Sequence, residues 1–166
     1  MPLIIFILVL LALFTLELMG PVQTAVIQPF TTAVAHVSAF VLQGFDSTVQ
    51  ADGIVLRNAA TGTAVSIEAG CNGVEAMIVV IAAIVATPAR WPNKVMGIGL
   101  GVMAIQALNV LRIISLFYLL QWNPVWFEWA HLYLWQALIM LDGLIVYLIW
   151  VRMLPPLAPP PGALAS

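Results

Sequence analysis

The chain has 166 residues, 63% of them apolar and 7% charged, against roughly 45–50% and 25% in an ordinary globular domain. Five Lys/Arg and seven Asp/Glu, a net charge of −2, are too few to solvate a globular surface or to neutralise a run of phosphates, which excludes a soluble domain and a nucleic-acid partner. Several long apolar runs carry the excess, so the composition predicts a mainly α, polytopic membrane protein.

The first apolar run, Leu3–Met19, lacks a positively charged segment before it and a small-residue cleavage site after it, and reads as a retained first span. Val22–Phe45 differs: Val22, Val26, Phe30, Val34, Val37, Val41 and Phe45 recur near helical spacing, with His36 and other polar residues off that stripe and Pro29 placed to bend it. This pattern predicts an amphipathic helix on the membrane face. Asp46–Glu68 is the polar stretch, where Asp52-Gly53 and Asn58–Gly62 separate short β-prone runs and predict a small β-hairpin or meander. A second span is expected over about 71–87, closed by Pro88; a third over about 95–120; and a fourth over about 130–151, with an aromatic loop Trp122–Trp129 before it. Residues 1–154 then form one membrane-embedded domain with 22–70 outside the membrane. The Pro-rich segment 155–166 reads as a disordered tail.

Arg90, Lys94 and Arg152 fall at span ends that four crossings place on one side, and the positive-inside rule makes that side cytoplasmic, with both termini. Trp91 and Trp150 would mark the inner interface; Trp122, Trp126 and Trp129 would mark the outer one.

Polar groups inside spans are costly, so their depth carries information. At about 1.5 Å per residue, Cys71, Arg112 and His131 lie roughly 28, 27 and 31 Å from Arg90, Lys94 and Arg152, a common level near the outer edge of a ~30 Å hydrocarbon core. Glu75 and Asn109 lie about a turn deeper, near 22 Å. A thiol at the start of a helix near the wet face favours the thiolate, and an intramembrane arginine is a functional-site hypothesis by default. Set against this, a buried cysteine packs inertly, an arginine snorkels to lipid phosphates, and a histidine between Trp129 and Tyr133 serves as an interfacial ring. Asn109, a turn before Arg112, would orient it or bond a neighbouring helix. Asp142 and Gln106 share a level and suggest a structural hydrogen bond. Gly97 and Gly101 form a face for close helix packing rather than a dinucleotide fingerprint. Cys71 is the only cysteine, which leaves no internal disulfide and no thiolate metal cluster; no cofactor is expected.

Gly70-Cys71-Asn72-Gly73-Val74-Glu75-Ala76, Asn109-Val110-Leu111-Arg112-Ile113 and His131, in this order on successive spans, resemble the exosortase/archaeosortase family. With Pro88-Ala89-Arg90-Trp91, the resemblance is greatest to the exosortase H type; it covers roughly 22–150, in a chain much shorter than the eight-span members. It implies a membrane cysteine transpeptidase of the bacterial inner membrane, with its active site facing outward. Such enzymes act on exported proteins that carry a C-terminal sorting tail: a short motif similar to Ile-Pro-Thr-Leu, an apolar helix and a basic cluster. The family's catalytic Cys, Arg and His fall on Cys71, Arg112 and His131; by position, Asn109, a turn before Arg112, and Glu75, a turn beyond Cys71, are the candidate supporting residues. The contrasting reading from another class is a non-catalytic membrane scaffold or assembly subunit.

Overall fold

A computed structural model describes residues 1–155; all but the first residue of the Pro-rich tail lie outside the described residues. Five long helices and a small sheet follow in the order α1 (Pro2–Glu17), α2 (Gly20–Gln43), β1 (Val49–Asp52), β2 (Val55–Asn58), β3 (Ala64–Ser66), α3 (Val74–Ala86), α4 (Trp91–Trp122) and α5 (Pro124–Met153).

Three helices, α2, α4 and α5, are long and apolar enough to cross a membrane. The four expected spans are therefore not reproduced as four full-length helices. At 1.5 Å per residue, α1 reaches roughly 24 Å and α3 only roughly 20 Å, short of a ~30 Å core. For α3 the reason is local: the Gly70–Gly73 turn and Thr87-Pro88 are both non-helical. α4 is longer than expected, roughly 48 Å, because Pro92 occupies its first turn, where the missing N–H costs nothing. The expected aromatic loop is not a loop. Asn123 alone separates α4 from α5, its side chain accepting from the N–H groups of Val125 (2.9 Å) and Trp126 (3.4 Å), and Pro124 starts the next helix.

α3 is the central helix, packed against α1, α4 and α5. Lipid tails are as apolar as Leu, so close approach rather than water exclusion holds such helices together. Val80 of α3 sits between Gly101 of α4 and Gly143 of α5, and the Trp150 indole lies directly over Gly97. Trp150 is buried and donates to the Asn93 carbonyl (2.9 Å), which corrects its expected place at the lipid interface. Trp91, Trp122, Trp126 and Trp129 are exposed, as expected of interfacial rings. That same bond brings the Arg152 end of α5 beside the Arg90–Lys94 end of α4.

The polar stretch folds as an antiparallel meander, order β1-β2-β3, turning tightly at Gly53 with φ +58°. Val49, Leu56 and Ile67 pack on Val34, Ala35, Ala39 and Leu42 of α2 and on Ile113 and Phe117 of α4. Each large apolar side chain so buried contributes about 1.5–3 kcal/mol. The buried face of α2 is not the expected stripe: Thr31, Val34, Ala35, Ser38, Ala39 and Leu42 face inward, while Val26, Val37, Val41 and Phe45 are exposed. Ala35, Ser38 and Ala39 let the sheet and α4 approach closely, with Val34 and Leu42 packed beside them. His36 lies on the exposed side. Pro29 does not break α2; the ladder shifts to a π turn over Gln23–Ile27 just before it, with Gln28 N–H reaching the Gln23 carbonyl.

Candidate active site

The turn ahead of α3 is built by glycines. Gly70 and Gly73 adopt φ +80° and +79°, the left-handed region that costs other residues roughly 1–2 kcal/mol. Asn72, buried between them, is the hub. Its Oδ1 accepts from the Val74 N–H (3.1 Å), capping α3, its Nδ2 donates to Thr31 Oγ1 on α2 (3.1 Å), and its carbonyl accepts from Gln106 Nε2 on α4 (3.1 Å). Glu75 reaches back so that Oε1 accepts from the Gly70 N–H at 2.5 Å. Three helices thus fix the backbone on either side of Cys71. The helix begins at Val74, so Cys71 lies in the turn before α3 rather than at its first position.

Arg112 and His131 converge on the sulfur. Arg112, 2% exposed, donates through Nη1 to the Gly70 carbonyl (3.0 Å) and through Nη2 to Cys71 Sγ (3.6 Å). Its burial excludes the snorkelling alternative. His131 Nε2 lies 3.6 Å from the same sulfur. It sits within a second π turn, Ala130–Leu134, which re-aims side chains relative to a regular helix, and its ring packs on Phe127 with centroids 5.6 Å apart. Burial pushes the Cys71 thiol up, and the Arg112 guanidinium pulls it back. The arrangement presents a mostly neutral thiol between a fixed cation and an imidazole nitrogen.

Asn109 does not orient Arg112. Its amide is 3.5 Å from Gln106 Oε1, so its link to the site runs through Gln106 and Asn72. Gln106 turns toward the start of α3 rather than toward Asp142, whose Oδ2 is buried without a partner; the expected Gln106–Asp142 bond is absent. Both follow from Gly73, which leaves room for the Gln106 and Asn109 side chains: an added Cβ there would stand 2.8 Å from Gln106 Nε2. Gly73→Ala is therefore expected to lower the melting temperature in detergent and to slow Cys71 alkylation. Gly99→Ala, in open space on α4, serves as the control that leaves both unchanged.

A cavity of about 50 Å³ opens onto the sulfur, lined by Cys71, Arg112 and His131 with Ser66 and Ile67 of the sheet and Phe127 of α5. A separate apolar cavity of about 250 Å³ lies between α1, α3 and α5, lined by Phe6, Val79, Ala83, Leu144 and Tyr147. α2 lines none of it. Among the described residues, no three His, Cys, Asp or Glu side chains gather closely enough to hold a metal ion.

Sequence reasoning missed Thr31, Phe127 and the bridging roles of Asn72 and Gln106. An Asn between two glycines before an apolar helix was a legible signal for a capping turn; Thr31 and Phe127 carried none. Fold and site together define a helical membrane protein with a half-buried thiol held by an arginine and a histidine from neighbouring helices. The family model described as transmembrane exosortase (Exosortase_EpsH) matches residues 3–155, and the chain belongs to that family. No curated protein and no solved structure matches it.

Proposed function

We propose that this protein is a membrane cysteine transpeptidase, of the exosortase H type, that cleaves the C-terminal sorting tail of exported proteins. The observation that carries the reading is Cys71 Sγ standing 3.6 Å from both Arg112 Nη2 and His131 Nε2. With the ring proton on Nδ1, His131 Nε2 accepts the thiol proton as sulfur attacks the scissile carbonyl. The C–S bond forms, and Arg112 donates to the resulting oxyanion. The C–N bond then breaks, and the amine leaves with the proton held on His131. An incoming amine or water, deprotonated by the same ring, attacks the thioester and returns the thiol.

The placement of Arg90, Lys94 and Arg152 at the far end supports a cytoplasmic location for that end in a bacterial inner membrane, with Cys71 facing outward. The apolar cavity between α1, α3 and α5 would take apolar side chains of the tail's helix rather than the helix itself.

Thiol alkylation tests the nucleophile. In wild-type protein, iodoacetamide is expected to label Cys71 faster as pH rises, because the thiolate is the reactive form. Removing the cation disfavours the charged form, so Arg112→Ala is expected to move the alkylation profile to higher pH and to slow labelling at pH 7 by about tenfold. His131→Ala is expected to slow it as well, for want of a proton acceptor. A Cys71 indifferent to both changes would favour the scaffold reading.

A further inference from the structure

β3 is an edge strand, and its residues Val65 and Ser66, with Ile67 just after them, line the cavity that contains the sulfur. Its register fixes which backbone groups are free. Leu56 pairs with Val65, and the flanking bonds run from the Asn58 N–H to the Thr63 carbonyl (2.8 Å) and from the Ile67 N–H to the Ile54 carbonyl (2.9 Å). Thr63, Val65 and Ile67 therefore turn their peptide groups toward β2. In an antiparallel ladder the alternate residues point theirs the other way, so the N–H and C=O groups of Ala64 and Ser66 face away from β2.

Such an edge is a template for another strand. Here it is three residues long, leads within five residues to Cys71, and flanks a recess of about 50 Å³. That recess is too small for a peptide and suits one small side chain projecting from a chain that runs along its rim. Ser66, Ile67 and Phe127 line it, and the β2–β3 turn is tied toward the end of α4 by Thr61 Oγ1, 3.4 Å from Gln121 Oε1.

We propose that the open edge of β3 binds the acyl donor as an added strand: an extended peptide pairs its main chain with Ala64 and Ser66, and so delivers its carbonyl to Cys71. The proposal rests on the cysteine-nucleophile reading above. Recognition by main-chain pairing supplies affinity through the backbone, and the recess supplies selectivity for a single side chain. It requires the donor segment to be unfolded and extended where it meets the enzyme.

The test uses the full chain in dodecyl maltoside micelles and an electrophilic peptide, acetyl-Val-Ala-Thr-Ala chloromethyl ketone. This reagent forms a C–S bond to Cys71 and releases chloride. Its labelling rate is divided by that of iodoacetamide on the same protein, so that altered thiol reactivity cancels. The ratio is expected to exceed that of chloroacetone, which has no peptide backbone. In Ser66→Pro, which removes one edge N–H at a position where proline is tolerated, the ratio is expected to fall about tenfold. In wild-type protein the same fall is expected when one alternate set of the peptide's amides is N-methylated, and not when the other set is; this arm leaves the protein unaltered. A ratio unchanged by Ser66→Pro and by both methylation patterns, or no higher than that of chloroacetone, would overturn strand addition and leave the nucleophile intact. Iodoacetamide labelling indifferent to both Arg112→Ala and His131→Ala would instead remove the nucleophile reading, and this proposal with it.

Discussion

Cys71→Ala, co-expressed with a protein ending in a short motif, an apolar helix and a basic cluster, is expected to leave that protein at full length. The measured cleavage rate should drop below about one thousandth of the wild-type rate, as when a nucleophile acting in concert with its base is removed. Cys71→Ser should be nearly as inactive. A serine oxygen fits the same space, but a hydroxyl is a far weaker nucleophile than a thiol at neutral pH, and the His131 nitrogen stands at a distance that suits sulfur. Both substitutions change one half-buried side chain and leave the turn's bonds to Asn72, Glu75 and Arg112 in place. The melting temperature should therefore stay near that of the wild type. Immunoblotting of the substrate is the measurement, and wild-type cleavage by Cys71→Ala would end the enzyme reading.

Arg112→Lys is expected to cost about 10²-fold in thioester formation, close to the loss from Arg112→Ala, although it keeps the charge. The guanidinium does two things at once from one plane: Nη1 holds the Gly70 carbonyl and Nη2 faces the sulfur. An ammonium is a point charge on a flexible stem and satisfies one of these. If it takes the carbonyl, the cation leaves the reacting centre; if it takes the sulfur, the Gly70 carbonyl loses its partner and the turn loosens. Single-turnover trapping of the thioester, compared across Arg, Lys and Ala, separates the two contributions. A lysine variant with wild-type rates would show that charge alone suffices at this position.

How much of this was legible in the sequence varies with the range of the interaction concerned. The meander could be read because Asp52-Gly53 and the alternation on either side are local signals, and the small-residue face at Gly97 and Gly101 because the spacing of glycines on a helix states what can approach it. The convergence of Cys71, Arg112 and His131 was legible as a shared depth, since helical rise converts residue number into height. Direction around each helix was not legible. For that reason the spacing points Asn109 to Arg112 or a neighbouring helix, whereas it reaches Gln106 on its own helix; it points Gln106 to Asp142, whereas Gln106 reaches Asn72; and it marks a face of α2 that is largely exposed.

The residue pattern by itself determined that the chain is a helical membrane protein, where the turns of the meander fall, and which costly polar groups lie at one level, because hydropathy, turn chemistry and rise per residue are properties of short segments. Only the tertiary structure decided that α2 packs through Ala35, Ser38 and Ala39, and that a π turn presents His131 to the sulfur. These depend on rotation about helix axes and on the packing of segments distant in the chain. A period of 3.6 residues constrains such rotations only once the neighbouring helices are in place.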